Sequence, residues 1–297
     1  MALRKIAVED LYKKDEKLKK EDVDALMDWI SKQPHLPRAS ELQVALFLHS
    51  CYYSNETAKS TIDAYFTVKT ICSDIFGAKN IDEPVLQTSL RTIFISPLPK
   101  ATAEGERIIF GKLIDTDPEN YFLASQCNLF DLATLQHIYQ EGPDQGVHIV
   151  IDMKGVVFGH FLKLNPMVIK KFLYYLQEAM PIRLKSLHFV NIVSFMDKIL
   201  ALMKPFMKKE LIDALYLHNG VETIFSQLPK ELFPQDYGGD VESVPILHEK
   251  CRRKIVENAE FWKYLADQRV DETRRRGKSK SSEIFGVEGS FKKLEVD

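Results

Sequence analysis

The first quarter of the chain carries apolar residues at the spacing of amphipathic helices. Val23, Leu26 and Ile30 lie at positions i, i+3 and i+7, and similar patterns continue as far as Gly77. The string HLPRAS interrupts them, because Pro37 stops one helix and the following serine can begin the next. The pattern therefore predicts a region built from several helices.

The spacing of hydrophobic residues changes from a helical to a strand-like pattern after about residue 106. Short runs rich in β-branched and aromatic residues predict strands at 107–114, 147–153 and 187–193, and helical patterns lie between them at 120–141 and 166–180. Strands that alternate with helices of this length form βαβ units with a mainly parallel sheet.

Less regular patterns follow the third predicted strand. A helix is predicted over 194–203, the run GVETIF at 220–225 is predicted as a strand, and another helix is predicted over 247–268. The polar run at 269–283 is typical of a flexible surface segment.

The change of period and the prolines before it predict a boundary between two units. We expect an α/β fold divided into a helical N-terminal module over 1–90, an α/β domain over 91–250 and a C-terminal helix and tail over 251–297.

Composition narrows the class of protein. The 297 residues include 45% hydrophobic residues but no apolar run near the ~20 needed to span a bilayer, which predicts a soluble globular protein. The 40 basic and 42 acidic residues leave a net charge of −2, which argues against nucleic-acid binding as the main function. The charged N-terminus is unlike a secretory signal, so we expect a cytoplasmic protein.

Known catalytic and cofactor signatures are missing from the sequence. It has no GxSxG, HExxH, Walker A or GxGxxG string, and its four cysteines lie far apart without metal-ligand spacing. We therefore predict a protein that is not an enzyme and that holds no cofactor and no metal.

Two apolar faces offer a different kind of site. Val147, Ile149 and Ile151 share one face of the second predicted strand, and Phe172 and Tyr175 share one face of the following helix. These faces either line a cavity or meet in an ordinary core.

The string SFMDKILALMKPFMKK carries a second apolar pattern. Its stripe of Phe195, Ile199, Leu202 and Met203 is edged by lysines, which suits either a membrane interface or a helix lying on a protein core.

Several ordered strings resemble the CRAL-TRIO lipid-transfer proteins. The helical N-terminal module of that family is similar to the string PHLPRASELQVALFLHSCYYSNETAKSTIDAYFTVKT. Its lipid-binding domain is similar to GVHIVIDMKGVVFGHFLKLNPMVIKKFLYYLQEAMPIRLKSLHFVNIV and the lysine-rich string after it. The strings LPKELFPQDYGGD and FGVEGSFKKLEVD also match, in the style of insect members related to α-tocopherol transfer protein, clavesins and retinaldehyde-binding proteins. The resemblance implies a sheet that floors an apolar cavity closed by a mobile gate helix.

The resemblance also implies site residues. The cavity would be lined by Asp131, Leu135, Val147, Ile151, Phe172, Tyr175 and Ile182, and the gate would run over 195–209. The strand pattern adds Ile149, and the stripe adds Phe195, Ile199, Leu202 and Met203. The polar groups predicted to orient a ligand are Thr134, Asp131, Tyr175 and His148.

A basic cluster in the family holds phosphoinositide head groups. In this sequence Arg183 and Lys185 match basic residues of that cluster, and Lys208 and Lys209 lie at neighbouring positions. Other positions of the cluster are not basic here and are occupied by Glu210, Ala214 and His49. These departures weaken the case for regulation by phosphoinositides.

The resemblance and the two apolar faces predict binding and transfer of a tocopherol-, retinoid- or carotenoid-like lipid between membranes, without chemistry. The alternative is a phosphoinositide- or protein-binding module whose cavity is filled by side chains such as Phe172 and Tyr175. Either function implies transient contact of a cytoplasmic protein with a membrane surface.

Overall fold

A computed structural model describes residues 3–77 and 81–277 of the chain. The string FGVEGSFKKLEVD and the end of the predicted flexible segment lie outside these residues. The N-terminal region is helical, as predicted, and consists of α1 (Val8–Lys14), α2 (Lys20–Ser31), α3 (Glu41–Ser50), α4 (Asn55–Ile71), α5 (Ser73–Phe76) and α6 (Pro84–Thr92).

Serine caps set the starts of two of these helices. The Ser40 hydroxyl accepts the backbone N–H of Gln43, and the Gln43 side chain accepts the N–H of Ser40, which forms a capping box at α3. The Ser54 hydroxyl accepts the N–H of Thr57 at the start of α4. Such caps satisfy helix N–H groups that have no partner within the helix.

The second part of the chain forms a five-stranded sheet in the order β1-β2-β3-β4-β5. β1 is antiparallel to β2, and the remaining pairs are parallel, which confirms the predicted α/β class with a mainly parallel sheet. The strands are β1 (Ile93–Ala101), β2 (Glu106–Leu113), β3 (Gly146–Asp152), β4 (Leu184–Val190) and β5 (Leu215–Leu217). The helices that accompany them are α7 (Leu123–Glu141), α8 (Phe158–Leu162), α9 (Pro166–Tyr174), α10 (Met196–Met203), α11 (Lys209–Asp213), α12 (Val244–Glu257) and α13 (Ala259–Asp267).

The sequence prediction missed the first strand, because Pro97 and Pro99 indicated a loop. Both prolines lie in β1, which is an edge strand whose register shifts between Pro97 and Ala101. Proline donates no backbone hydrogen bond, so an edge strand with an irregularity is the position in a sheet that tolerates it.

Two further predictions were wrong in detail. GVETIF forms a 3-10 helix, not a strand, because the Thr223 hydroxyl donates to the Gly220 carbonyl and the Ser226 hydroxyl donates to the Thr223 carbonyl. Local bonds of this kind compete with strand pairing. The helix predicted at 247–268 is two helices that break at Asn258.

The sheet separates two apolar layers. Strand alternation places Ile149 and Ile151 on the face covered by α7 and α9, where they join the larger core. His148, Val150 and Asp152 point to the opposite face, where Val150 packs with a smaller cluster that includes Phe110. Within the described residues no helix is long and apolar enough to cross a bilayer.

Candidate functional site

An apolar cavity of about 200 Å³ lies between the sheet and the helices that cover it. Its floor is formed by Ile149 and Ile151 of β3 and by Leu187 and Phe189 of β4. An engineered apolar cavity of about 150 Å³ remains dry and binds benzene, so a void of this size in a folded protein is large enough for an apolar ligand.

Helix α7 forms one wall of the cavity. Leu123, Gln126, Cys127 and Phe130 line it, and their spacing of i, i+3, i+4 and i+7 places them on one helix face. The sequence prediction did not select this face, although the same spacing is visible in the sequence.

Helix α9 and the π-helical turn after it form the opposite wall. Phe172, Leu173 and Leu176 contact the cavity, and the ring of Phe172 meets that of Phe130 edge to face, with centroids 5.6 Å apart. The two walls therefore touch each other at this point and close one end of the cavity.

The predicted gate segment, residues 195–209, borders a further side of the cavity. Ile199 and Met203 of α10 line the cavity, so the apolar stripe faces inward. Two side chains bond the end of the predicted gate segment. The Gln177 amide donates to the Phe206 carbonyl at 3.1 Å and accepts the Lys208 N–H at 2.7 Å, and the Glu178 carboxylate pairs with the Lys208 ammonium.

The structure brings five predicted residues to the cavity wall, namely Ile149, Ile151, Phe172, Ile199 and Met203. A second group of predicted residues packs in the surrounding apolar core, not along the wall, and consists of Leu135, Val147, Ile182, Phe195 and Leu202.

Three of the predicted polar groups are bonded to other protein groups. The carboxylate of Asp131 binds the Lys69 ammonium and accepts the Tyr175 hydroxyl, and both Asp131 and Tyr175 are fully buried. The Thr134 hydroxyl donates to the Phe130 carbonyl at 2.7 Å. A buried carboxylate requires a partner, and α4 of the N-terminal region supplies it in Lys69. This arrangement stabilises the contact between the helical module and α7.

The fourth predicted polar group, His148, lies on the sheet face away from the cavity. Its ring nitrogens bond the Glu106 carboxylate at 2.8 Å and the Ser186 hydroxyl at 2.7 Å. The series continues from Ser186 to His188 at 2.6 Å and from His188 to His218 at 3.0 Å. Burial lowers the pKa of His188 to about 4. These groups form a connected polar network beneath the floor of the cavity.

The four basic residues predicted to bind phosphoinositides are all bonded within the chain. Arg183 donates to the His49 carbonyl and to Gln145, and its guanidinium stacks on Tyr52 at 4.4 Å. The lysines form ion pairs with acidic residues, which are Lys185 with Glu106, Lys208 with Glu178 and Lys209 with Asp213. Arg183, Lys185 and Lys208 line one surface groove, together with Glu178 and Glu210.

The fold and the cavity define an α/β protein that encloses an apolar site between a mainly parallel sheet and covering helices. Residues 93–239 match the model of the CRAL/TRIO domain, and residues 15–86 match that of the Pinta-like UBA domain. The chain is therefore a CRAL-TRIO domain protein, as the resemblance of its sequence motifs to that family predicted.

Three similar proteins can be compared with this chain. The chain is 28% identical to human alpha-tocopherol transfer protein-like over 238 residues, which cover 78% of this chain and 68% of that protein. It is 24% identical to clavesin-1 of Rattus norvegicus over 227 residues, which cover 74% of this chain and 63% of that protein. The crystal structure of Sfh5 aligns with a TM-score of 0.48 at 11% identity, covering 69% of this chain and 74% of that one. Membership of the CRAL-TRIO family, together with the two sequence relatives, supports lipid binding and transfer as the general function.

Proposed function

We propose that this protein binds an isoprenoid-like lipid, of the tocopherol, retinoid or carotenoid kind, in the apolar cavity and carries it through the cytoplasm between membranes without altering it. The observation that carries the proposal is the cavity itself, whose floor and walls are almost entirely apolar. At about 200 Å³ it is smaller than the ~300–1,000 Å³ of typical ligand pockets, so a ligand of this length requires the gate segment to move outward. The relative named alpha-tocopherol transfer protein-like supports a ligand of this chemical kind.

Partition explains how such a carrier works. Each buried CH₂ group is worth about 0.8 kcal/mol relative to water, but a lipid in a bilayer is already out of water. Uptake and release are therefore nearly balanced, and their rates depend on whether the gate segment is open. An inward-facing stripe on α10 fits a gate that covers a bound lipid.

An exposed apolar patch beside the gate supports docking at a membrane. Phe158 and Leu162 of α8 are 44% and 70% exposed. The Phe158 ring meets that of Phe195, at the start of the gate segment, with centroids 5.5 Å apart, and the ammonium of Lys198 lies over Phe158 at 5.4 Å. Exposed apolar residues with nearby cations suit the interface of an anionic bilayer.

The polar network beneath the sheet also favours a carrier over an enzyme. Glu106, His148 and Ser186 form a bonded series of an acid, a histidine and a hydroxyl, and this series faces away from the cavity. A ligand in the cavity would be separated from Ser186 by the sheet itself.

Ligand capture tests the proposal directly. The purified protein is extracted with organic solvent for mass spectrometry, and uptake of tocopherol, retinoids and carotenoids is followed by absorbance. We expect an apolar compound at about one per protein chain. Met203→Trp should fill the cavity and lower uptake, whereas Ala201→Trp, at an exposed position on the same helix and outside the cavity wall, should not. An empty extract with no uptake of any probe contradicts the proposal.

Membrane docking is tested separately. Phe158→Asp should slow transfer between liposomes without lowering ligand capacity, and Ile246→Asp on α12, at a site that is 48% exposed, is the matched control.

The alternative of a phosphoinositide-binding module rests on the groove that holds Arg183, Lys185 and Lys208. Liposome binding that requires Arg183 and Lys185 but removes no lipid would favour it.

A further inference from the structure

A series of hydrogen bonds crosses the sheet on the face away from the cavity. We call it the histidine relay, and its members in order are Glu106, His148, Ser186, His188, His218, Thr223 and the carbonyl of Gly220. Neighbouring members lie 2.6 to 3.0 Å apart, so the relay contains six hydrogen-bond contacts.

Both ends of the relay can only accept a proton. Burial alone would raise the pKa of Glu106, but the hydrogen bond with His148 and the charge of Lys185, whose ammonium lies 3.5 Å away, lower it overall and keep the carboxylate ionised. The Gly220 carbonyl has no proton to give. Each of the six contacts needs one proton, whereas two hydroxyls and three neutral imidazoles supply five. The relay is therefore one proton short when all its histidines are neutral.

One added proton completes the relay, and His148 is the best place for it. The imidazolium donates from both ring nitrogens, to Glu106 at 2.8 Å and to Ser186 at 2.7 Å, and its charge then lies next to the carboxylate. His188 is a poorer place for a charge, because it is 1% exposed and burial lowers its pKa to about 4. Tyr216 also faces the relay, and its ring stacks on that of His188 at 4.9 Å.

Gain or loss of this proton reverses the direction of the relay. With the proton, every bond runs outward from His148, so His188 and His218 carry their ring protons on Nδ1. Without it one bond must break, and the bond from Thr223 to Gly220 is the least costly because it is exposed and water can replace it. Thr223 then donates to His218, and both buried rings carry their protons on Nε2.

We propose that the histidine relay is a proton-sensitive switch beneath the cavity floor, in which one proton at His148 sets the direction of the bonds as far as Thr223. His218 connects the relay to the gate, because its backbone N–H donates to the Phe189 carbonyl at 2.9 Å and its carbonyl accepts the Ile192 N–H at 3.2 Å. Phe189 lines the cavity, and Ile192 lies three residues before the gate segment. The switch goes beyond the proposed function, and its two directions should give different rates of ligand exchange.

Nitrogen-15 NMR of the imidazole rings reports the tautomers directly and needs no bound ligand. As the pH rises from about 5.5 to about 8.5, His188 and His218 should change from the Nδ1–H to the Nε2–H tautomer while staying neutral, at the midpoint at which His148 loses its charge. His248 is the internal reference, because its Nε2 donates to the Leu90 carbonyl at 2.8 Å and should keep that tautomer. Unchanged tautomers of His188 and His218 over this range overturn the proposal.

Two near-isosteric substitutions should act on the relay in opposite directions. Glu106→Gln supplies the sixth proton from its own amide, which should fix the Nδ1–H tautomers of His188 and His218 at every pH in the range. Thr223→Val leaves the Nδ1–H tautomer of His218 without an acceptor, so the midpoint should move to lower pH by about one unit, which is the tenfold change expected for one hydrogen bond. Nε2–H tautomers in Glu106→Gln, or an unchanged midpoint in Thr223→Val, overturn the proposal.

Transfer of retinol to phosphatidylcholine liposomes, followed by stopped flow, tests the link to the gate. The wild-type rate should change several-fold across the midpoint found by NMR, and Glu106→Gln should remove that change. A rate that is independent of pH in the wild-type protein, or that changes equally in both, overturns the link. If the wild-type protein binds no retinol, the carrier function loses support, and the NMR titration still decides whether the relay is a switch.

Discussion

Replacing Asp131 with asparagine should destabilise the folded protein strongly, although Asp131 lies outside the cavity wall. Its carboxylate is the anionic partner of Lys69, whose side chain is 12% exposed, while that of Asp131 is 2% exposed. Asp131→Asn keeps the shape of the side chain and removes the charge. The Lys69 ammonium is then left buried without its counter-ion.

The expected loss follows from the surroundings of Lys69. Breaking a buried ion pair from one side typically costs 3–5 kcal/mol, because the remaining charge is uncompensated. The rings of Phe76, Tyr175 and Tyr65 lie 4.4, 5.3 and 5.5 Å from the ammonium and offset part of that cost through cation–π attraction. We therefore expect Asp131→Asn to lower the free energy of unfolding by about 3 kcal/mol.

Urea denaturation of a double-mutant cycle measures this coupling. Lys69→Met removes the cation while keeping much of its apolar stem, so the double variant Lys69→Met with Asp131→Asn should be more stable than the sum of the single losses predicts, by about 2 kcal/mol. Additive losses, or a loss below about 1 kcal/mol for Asp131→Asn, would refute the reasoning. Retained retinoid binding by the folded variant would separate this stabilising role from the ligand contact that the sequence suggested.

Three further changes address pH, the gate and the basic groove. Burial lowers the pKa of His49 and His188 to about 4, so the unfolded chain takes up protons that the folded one does not. Stability should accordingly fall as the pH drops from about 6.5 to 4, by up to about 1.4 kcal/mol per unit for each histidine, and His188→Gln should flatten the profile in urea titrations. Gln177→Ala removes both hydrogen bonds from Gln177 to the gate segment, leaves the Glu178–Lys208 ion pair in place, and should speed ligand exchange several-fold in stopped-flow transfer to liposomes, with unchanged exchange contradicting a role of Gln177 as a tether. Arg183→Ala removes two charge-assisted hydrogen bonds to the His49 carbonyl, which keeps only backbone donors such as the N–H of Tyr52, and should cost about 2 kcal/mol in urea denaturation, whereas an unchanged midpoint would contradict this structural role.

The class of fold could be predicted from the sequence because the helical and the strand-like spacings of its hydrophobic residues are both clear. Helical spacing covers the N-terminal module, and three of the five strands are runs of β-branched and aromatic residues. β1 was missed because its prolines are tolerated only through its place at the sheet edge, and β5 has just three residues. Neither edge position nor strand order can be read from local composition.

The cavity was harder to predict than the apolar faces around it. Helical spacing puts Phe172, Tyr175 and Leu176 near one another on the surface of α9 and the turn that follows it. Phe172 and Leu176 contact the cavity, while Tyr175 turns to Asp131. Spacing does not show which of several neighbouring apolar or aromatic residues meets the cavity and which meets a buried polar partner, so it could not separate the wall from the core.

The same stripe on α10 cannot cover the cavity and enter a bilayer at the same time, which orders the events of the proposed transfer. With Ile199 and Met203 facing inward, the apolar groups available for first contact are those of α8, where Phe158 and Leu162 are exposed. Phe158 also contacts Phe195 at the start of the gate segment, so insertion of α8 would disturb the gate at the end opposite to the Gln177 tether. Loss of docking through Phe158 and loss of the tether through Gln177 should therefore act on transfer in opposite directions, because one removes the contact that opens the gate and the other removes the bonds that keep it closed.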